Sequence, residues 1–346
     1  MQTLIKLILL ILPLSFVLAE CQKDPEINPN DTDFMLDTIS DNPGDLLNYP
    51  VIDVHQHIYS SQSFWYGGTS NTGLVSSKNY ISHYEELVEA MHKNNVVLGI
   101  AGGPLYAVDY FYDSYSENNS LFWYGAEFMK MSTSSYLETI LSNISSEADS
   151  GKIKAIGELT GVYQNFPPDN SSYQGLYNIA DKFSLPVFIH TGIVPEDILR
   201  NWGNYSFEYA NPRMLDSILV KWPDVNFNAA HFGISNHEDF NFEDDMIDMM
   251  SKYENLFVDI GATVWWDSTG NRKTSDFIIR AISEGVEDKI LYGSDEMVWP
   301  DAVTVSINYV KNANFLTVIQ KKKILYWNAA EYLKLTTAEV ETHFGR

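Results

Sequence analysis

The feature that most constrains this chain is a regular alternation of short apolar runs with longer segments of helical periodicity. Apolar runs of strand length recur from Val51 to Asp295, and segments such as Leu176–Phe183 between them show helical spacing. Such alternation indicates parallel βαβ units. About eight units over about 290 residues predict a single (β/α)8 TIM barrel rather than an open doubly wound sheet. No Gly-rich phosphate loop opens the first unit, which further disfavours a nucleotide-binding fold.

The chain is predicted to have three parts. These are a signal peptide at 1–20, a tether and lead-in at 21–49, and the barrel domain at 50–346. In the first part, Lys6 is followed by the apolar run 7–18, which is too short to span a membrane as a stable helix. The Asp-, Asn- and Pro-rich lead-in lacks periodicity, as a tether does.

Two processing sites fit the end of the apolar run. Val17-Leu18-Ala19 suits an ordinary signal peptidase that cuts before Glu20, whereas Leu18-Ala19-Glu20-Cys21 resembles a bacterial lipoprotein box. Cys21 is the only cysteine in the chain and lies where lipidation needs it. We therefore expect an exported protein, periplasmic or on the cell surface of a bacterial envelope, that contacts the membrane only through a lipid anchor at Cys21.

Composition excludes some classes of function. The 346 residues are 45% hydrophobic and 20% charged, which is ordinary for a globular protein. A single cysteine excludes an intramolecular disulfide, so the fold depends on its core. The formal net charge of −24 disfavours nucleic acid as a partner, because an acidic surface repels it. A small-molecule substrate is the expected partner.

Metal-type side chains end several of the predicted strands. His55 and His57 leave the same face of the first strand, because side chains at i and i+2 do so. The carboxyl ends of barrel strands also carry four further residues of this kind, where active sites of TIM barrels lie. They are Glu158, His190, His231 and Asp295. The remaining histidines are predicted to be surface or packing residues: His83, His92, His237 and His343.

With these motifs the sequence resembles the amidohydrolase superfamily of metal-dependent barrel enzymes, and most nearly its amidohydrolase-2 branch. The resemblance covers roughly residues 50–335. The motifs that carry it are Asp53-Val54-His55-Gln56-His57, Gly157-Glu158, Pro186-Val187-Phe188-Ile189-His190-Thr191-Gly192, Ala230-His231-Phe232-Gly233, Gly293-Ser294-Asp295 and Asn328-Ala329-Ala330.

The resemblance implies a site for one or two divalent ions, with Zn²⁺ the expected metal. The implied ligands are His55, His57, Glu158, His190, His231 and Asp295. Asp295 would take a proton from a metal-activated water, and His231 would serve as acid or base in a mononuclear site. Many relatives bridge two ions with a carboxylated lysine. Lys154 shares a face with Glu158 but lies well below the barrel mouth, so Glu158 is the better bridge. Alternatively, Glu158 only orients a ligand histidine.

Substrate contacts are expected from aromatic residues in the loops that follow the strands. The predicted set is Trp65, Tyr66, Trp265, Trp266 and Trp299, with Tyr106 and Tyr163 nearby. The late loops contain few arginines, namely Arg200, Arg213 and Arg272, which disfavours a phosphate-rich substrate. A small, uncharged or aromatic amide, lactone or ester fits better.

The predicted function is metal-dependent hydrolysis, and two alternatives stay open. A mononuclear decarboxylase on the same fold would use His55, His57, His190 and Asp295 without needing Glu158. A catalytically silent surface binding lipoprotein would be expected to have lost ligands, and none of the six is missing.

Overall fold

The computed structural model describes residues 40–61, 66–70, 72–128, 135–192, 207–234, 242–267 and 273–345. Its centre is a parallel sheet in which each strand pairs with the next along the chain. The strands are β1 Val51–His57, β2 Val96–Gly103, β3 Phe122–Phe128, β4 Ile153–Leu159, β5 Val187–His190, β6 Phe227–Ala230, β7 Leu256–Asp259 and β8 Ile290–Leu291.

The sheet curls until its first and last strands meet. Val54 N donates a hydrogen bond to Tyr292 O at 3.0 Å, just beyond β8, and Asp295 N donates to His55 O at 2.8 Å. Every residue of β1 is buried, as in a parallel strand that is covered on both faces. The predicted (β/α)8 barrel is therefore confirmed.

Helices alternate with these strands and cover the outside of the barrel. They are α1 Tyr80–Lys93, α2 Leu105–Ser114, α3 Ser135–Asp149, α4 Gln174–Phe183, α5 Asp216–Lys221, α6 Glu243–Lys252, α7 Thr263–Asp267, α8 Lys273–Ser283, α9 Asp301–Asn312, α10 Val318–Lys322, α11 Asn328–Tyr332 and α12 Thr337–His343. Short 3-10 helices include Pro43–Leu46, Gly161–Gln164, Pro212–Leu215 and His231–Gly233. Within the described ranges, no helix has the length and apolar character needed to cross a membrane.

Two elements are irregular. The helical segment after residue 211 begins as the 3-10 helix Pro212–Leu215 and continues as α5, with Asn211 capping its start. The apolar runs of the sequence extend to Asp295, but β8 is regular only at Ile290–Leu291. Beyond it the amide of Ser294 donates to Asp53 Oδ1 at 2.8 Å instead of joining a regular ladder. Asp295 follows directly, with its Oδ1 3.1 Å from His57 Nε2.

Glycines in β2, β3 and β4 allow these strands to approach one another and the Phe188 ring in the barrel interior. A Cβ atom at Gly102 would lie 2.9 Å from the carbonyl oxygen of Gly157 and 3.0 Å from the Phe188 ring. A Cβ atom at Gly125 would lie 3.0 Å from the same carbonyl oxygen. Phe188 fills this space, and its ring centroid lies 5.6 Å from that of His55. The packed interior thus forms the floor beneath the strand-end histidines.

Candidate metal centre

The six predicted ligands meet at the carboxyl ends of the strands. β1 carries His55 and His57, β4 carries Glu158, and β5 ends at His190. His231 directly follows β6 as the first residue of a 3-10 helix. Asp295 lies in the turn after β8, and all six residues are buried.

The first group of ligand atoms surrounds the two histidines of β1. His55 Nε2 and His57 Nε2 lie only 3.2 Å apart. Asp295 Oδ1 lies 3.1 Å from His57 Nε2 and 3.6 Å from His55 Nε2. Glu158 Oε2 lies 3.7 Å from each of the two nitrogens. Two imidazoles and two carboxylates therefore converge on one point.

The other oxygen of Glu158 faces a second group. Glu158 Oε1 lies 2.8 Å from His190 Nδ1 and 3.6 Å from His231 Nε2. His57 and His55 are thus next to one oxygen of this carboxylate, and the strand-five and strand-six histidines are next to the other. The groups able to hold an ion include His55, His57 and Glu158, and also Glu158, His190 and His231.

The donor atoms fit divalent ions. His231 Nδ1 is 2.9 Å from Gly261 O, which can only accept, so the neutral ring directs the lone pair of Nε2 into the site. With a metal ion in place of protons, His55 Nε2 and His57 Nε2, 3.2 Å apart, would both present lone pairs to the same point. Buried imidazole nitrogens and carboxylate oxygens are the ligands of Zn²⁺ and similar ions.

The model of one protein family, described as amidohydrolase, matches residues 138–335, more than half of the chain. This chain belongs to that amidohydrolase family. The resemblance seen in the sequence is confirmed, and the family is metal-dependent. No curated protein matches the chain.

Solved structures share the barrel of this chain. A 5-carboxyvanillate decarboxylase from Novosphingobium aromaticivorans, complexed with manganese and 4-hydroxy-3-methoxy-5-nitrobenzoic acid, is 14% identical, with a TM-score of 0.58 over 86% of this chain and 100% of that one. A 4-oxalomesaconate hydratase from Rhodopseudomonas palustris is 14% identical, with a TM-score of 0.55 over 85% and 99%. An amidohydrolase 2 from Bifidobacterium longum subsp. infantis is 12% identical, with a TM-score of 0.51 over 83% and 100%. At these identities the likeness shows the fold alone.

Charge in the centre of this amidohydrolase favours cations. Burial lowers the pKa of the His57 imidazole, but the hydrogen bond with Asp295 and the nearby carboxylate of Glu127 outweigh burial and raise the pKa to about 10. Burial likewise opposes the charged form of His55, whose pKa is nevertheless raised well above its usual range by Asp259, Asp295 and Glu158. Burial raises the pKa of Glu158, yet His190 and His55 hold it well below the usual range. The carboxylates thus attract positive charge to the histidines, whether protons or metal ions supply it.

Backbone geometry also distinguishes two of the candidate ligands. His231 has a φ of 65° and Asp295 a φ of 49°, both in the left-handed region. Non-glycine residues in this region carry roughly 1–3 kcal/mol of strain, which persists where the surrounding structure enforces it. Here the strain accompanies side chains that point into the metal centre.

Further titratable residues lie beside the centre and were missed by sequence reasoning. Asp259 Oδ2 is 3.0 Å from His55 Nδ1, and Glu127 Oε2 is 3.5 Å from His57 Nδ1. Glu296 Oε2 is 2.7 Å from His83 Nε2, so His83 is a buried packing residue beside the centre. Asp259 could have been predicted as a site residue from the sequence, because it ends an apolar run as the predicted ligands do. Lys154 is exposed, with Nζ 5.3 Å over the ring of Trp123.

Aromatic residues lie around the centre. Trp265 Nε1 donates to Ser294 O at 2.9 Å, and its ring centroid is 5.9 Å from that of Trp299. Tyr66 is buried with its ring 6.0 Å from that of His83. Trp65 and the side chain of Trp266 lie outside the described residues. Substrate binding by these residues stays a prediction. Two further rings touch ligands, since Tyr59 stacks on His57 and Tyr163 Oη lies 3.0 Å from His190 Nε2.

Proposed function

We propose that this amidohydrolase is a hydrolase that uses metal-activated water on an amide, lactone or ester bond of a small substrate. The observation that carries the proposal is the position of Glu158 between two pairs of histidines. One of its oxygens faces His55 and His57, and the other faces His190 and His231. A carboxylate in that position can bridge two ions, and two-ion centres suit the attack of water on a polarised bond.

In the proposed centre His55, His57 and Asp295 would hold one ion, His190 and His231 would hold the other, and Glu158 lies between the two groups. The bound ions supply a Lewis acid and a water whose pKa falls towards about 7. We favour zinc from the nitrogen-rich ligand set. Manganese, which accompanies one structurally similar decarboxylase, is the alternative that metal analysis separates.

Asp295 is the proposed proton acceptor. Its side chain is 10% exposed, against 6% for Glu158, while Oδ1 stays 3.1 Å from His57 Nε2. It would take the proton of the attacking water and release it to the leaving group of the substrate. A hydrogen bond from Nδ1 to Gly261 O orients the ring of His231, and its Nε2 lies 3.9 Å from Asp295 Oδ2. This position suits the role of a ligand or an auxiliary acid.

An uncharged or aromatic substrate suits the surroundings of the centre. Within the described ranges, the ion pairs formed by Glu127, Glu158, Asp295 and Glu296 are with histidines only. Anionic substrates are usually bound by cationic side chains, and these ion pairs contain no lysine or arginine. The surroundings therefore favour a neutral substrate. Tyr59, Tyr163 and Trp265 supply aromatic surface next to the ligands.

Decarboxylation by a single-ion centre is the second candidate, because one structurally similar protein is a decarboxylase. The two readings differ in metal content and in the need for Glu158. We expect two divalent ions per wild-type chain and one in Glu158→Gln, with loss of hydrolysis. The measurement is elemental analysis of purified protein together with panels of lactones, amides, esters and aromatic acids.

The matched control is Glu138→Gln, which changes an exposed glutamate on α3. One ion per wild-type chain, full activity of Glu158→Gln and release of CO₂ from an aromatic acid would together replace the hydrolase proposal with the lyase.

We further propose that the protein is an exported lipoprotein whose anchor is Cys21. What supports this is the sequence alone, because residues 1–39 lie outside the described residues. The test is fractionation of cells that express the full chain. We expect Cys21→Ala to move the protein from the membrane fraction to the soluble fraction, and membrane retention of that variant would contradict the anchor.

A further inference from the structure

Asp259 at the end of β7 is fully buried, and hydrogen-bond donors surround both of its carboxylate oxygens. Oδ1 accepts from Gly261 N at 2.8 Å and lies 3.4 Å from His231 N. Oδ2 accepts from Asn228 Nδ2 at 2.7 Å and lies 3.0 Å from His55 Nδ1. Asp259 could join His55 and His231 around an ion by distance. Its oxygens are already occupied, however, which favours a different role.

We infer that Asp259 is a positioning residue that holds His55 in the tautomer able to bind a metal ion. A carboxylate can only accept, so His55 Nδ1 must carry the proton that it donates. The neutral ring then presents the lone pair of Nε2 towards His57 Nε2, 3.2 Å away. Such a carboxylate behind a ligand histidine fixes both tautomer and ring orientation. The inference rests on the proposed metal centre.

Replacing Asp259 with asparagine would reverse this arrangement. The amide oxygen is required at the Oδ1 position, because Gly261 N donates there. The amide nitrogen therefore takes the Oδ2 position and donates to His55 Nδ1. Asn228 can rotate to accept from the same nitrogen, since its own Oδ1 has no hydrogen-bond partner among the described residues. The proton of His55 then moves to Nε2, which blocks the ligand lone pair.

Alanine at the same position removes the same charge without imposing a tautomer. The space left by the carboxylate is polar and can admit a water molecule that accepts from His55 Nδ1. If Asp259 only supported the structure, asparagine, which is nearly isosteric with aspartate, would weaken metal binding less than alanine. The positioning role makes asparagine the more harmful one.

The experiment measures Zn²⁺ affinity of the full chain by competition with a chromophoric chelator, together with thermal unfolding of the metal-free protein. We expect Asp259→Asn to bind Zn²⁺ about 10- to 100-fold more weakly than wild type, as for other residues behind metal ligands. Asp259→Ala should bind more tightly than Asp259→Asn. Asn228→Ala removes another partner of the same carboxylate, so it should lower the unfolding temperature while leaving the affinity within about threefold, as expected for a change that leaves the tautomer intact.

The outcomes separate this inference from the proposed function. Wild-type affinity in Asp259→Asn would overturn the positioning role and leave the metal centre intact. Affinity that is equal in the two Asp259 variants, or lost to the same extent in Asn228→Ala, would also overturn it in favour of simple structural support. A wild-type chain that binds no Zn²⁺ and no Mn²⁺ would contradict the proposed metal centre itself.

Discussion

At the scale of single residues, Asp295 contacts the candidate ligand histidines and has a slightly more exposed side chain than Glu158. We expect Asp295→Asn to lower turnover by about 10²- to 10⁴-fold, because an amide cannot take the proton of the attacking water. The measurement is steady-state kinetics on whichever substrate the panels identify, with far-UV circular dichroism to verify the fold. Asp301→Asn is the matched control, because Asp301 is exposed at the start of α9. Turnover of Asp295→Asn equal to that of the control would remove Asp295 from this role.

The convergence of the six candidate ligands could be predicted from sequence because each one lies at or just beyond the end of an apolar run. That local pattern places a side chain at the barrel mouth without knowledge of its neighbours. The supporting residues could not be found in this way. Glu296 pairs with His83, and Asp259 pairs with His55 from 204 positions away. Their roles depend on which helix and strand meet across the barrel, and sequence spacing does not encode that.

At the scale of elements, the close approach of β2 to β4 leaves no room for a side chain. We expect Gly102→Ala to destabilise the barrel by roughly 1–3 kcal/mol, since the new methyl group would meet the backbone of Gly157 and the ring of Phe188. Urea unfolding measures the change. Gly44→Ala is the control, because a Cβ there would lie no closer than 3.4 Å to its nearest neighbour. Equal stability of the two variants would contradict the prediction, because it would mean that the barrel interior accommodates the methyl group without loss of stability.

Helix α12 carries His343, and folding favours the neutral form of its imidazole. Burial lowers the pKa of His343, and its Nδ1 lies 2.9 Å from Tyr326 Oη. Because the folded pKa lies below the unfolded value of about 6.5, its contribution to stability is present above that pH and is lost as the pH falls.

We therefore expect the stability advantage of wild type over His343→Gln to shrink between pH 7.5 and 5.5. Urea unfolding across this range measures it, and His92→Gln, at an exposed position of α1, is the control. A stability advantage of wild type that grows as the pH falls would contradict this prediction.

Element boundaries were predictable where periodicity was uninterrupted. The strands β2, β4 and β5 coincide with apolar runs, because parallel strands covered on both faces need them. The end of β8 was not predictable. Ser294 leaves the ladder to donate to Asp53, a bond between the two ends of the barrel that local sequence does not reveal.

At the scale of the whole molecule, metal binding and stability are linked. Several histidines and carboxylates lie together in a buried space at the centre, and an ion that binds there only in the folded state stabilises that state. At a free ion concentration 100-fold above the dissociation constant the gain is about 2.7 kcal/mol, or about 4 °C for a barrel of this size. We expect a chelator to lower the unfolding temperature by several degrees and added Zn²⁺ to restore it. Calorimetry of chelated and reloaded protein checks this, and an unfolding temperature that ignores the metal would contradict the linkage.

The distance along the chain between the ligands determines when the centre can form. His57 and Asp295 touch in space but are 238 positions apart, and the bond from Val54 to Tyr292 that joins the barrel ends lies beside them. No nascent fragment that lacks β8 contains the centre. A chain exported unfolded, as we propose from its N-terminal segment, would carry no assembled centre across the membrane, and its ion would come from the compartment in which the last strand is added. Metal supply outside the cytoplasm, rather than inside it, would then determine which ion this amidohydrolase contains.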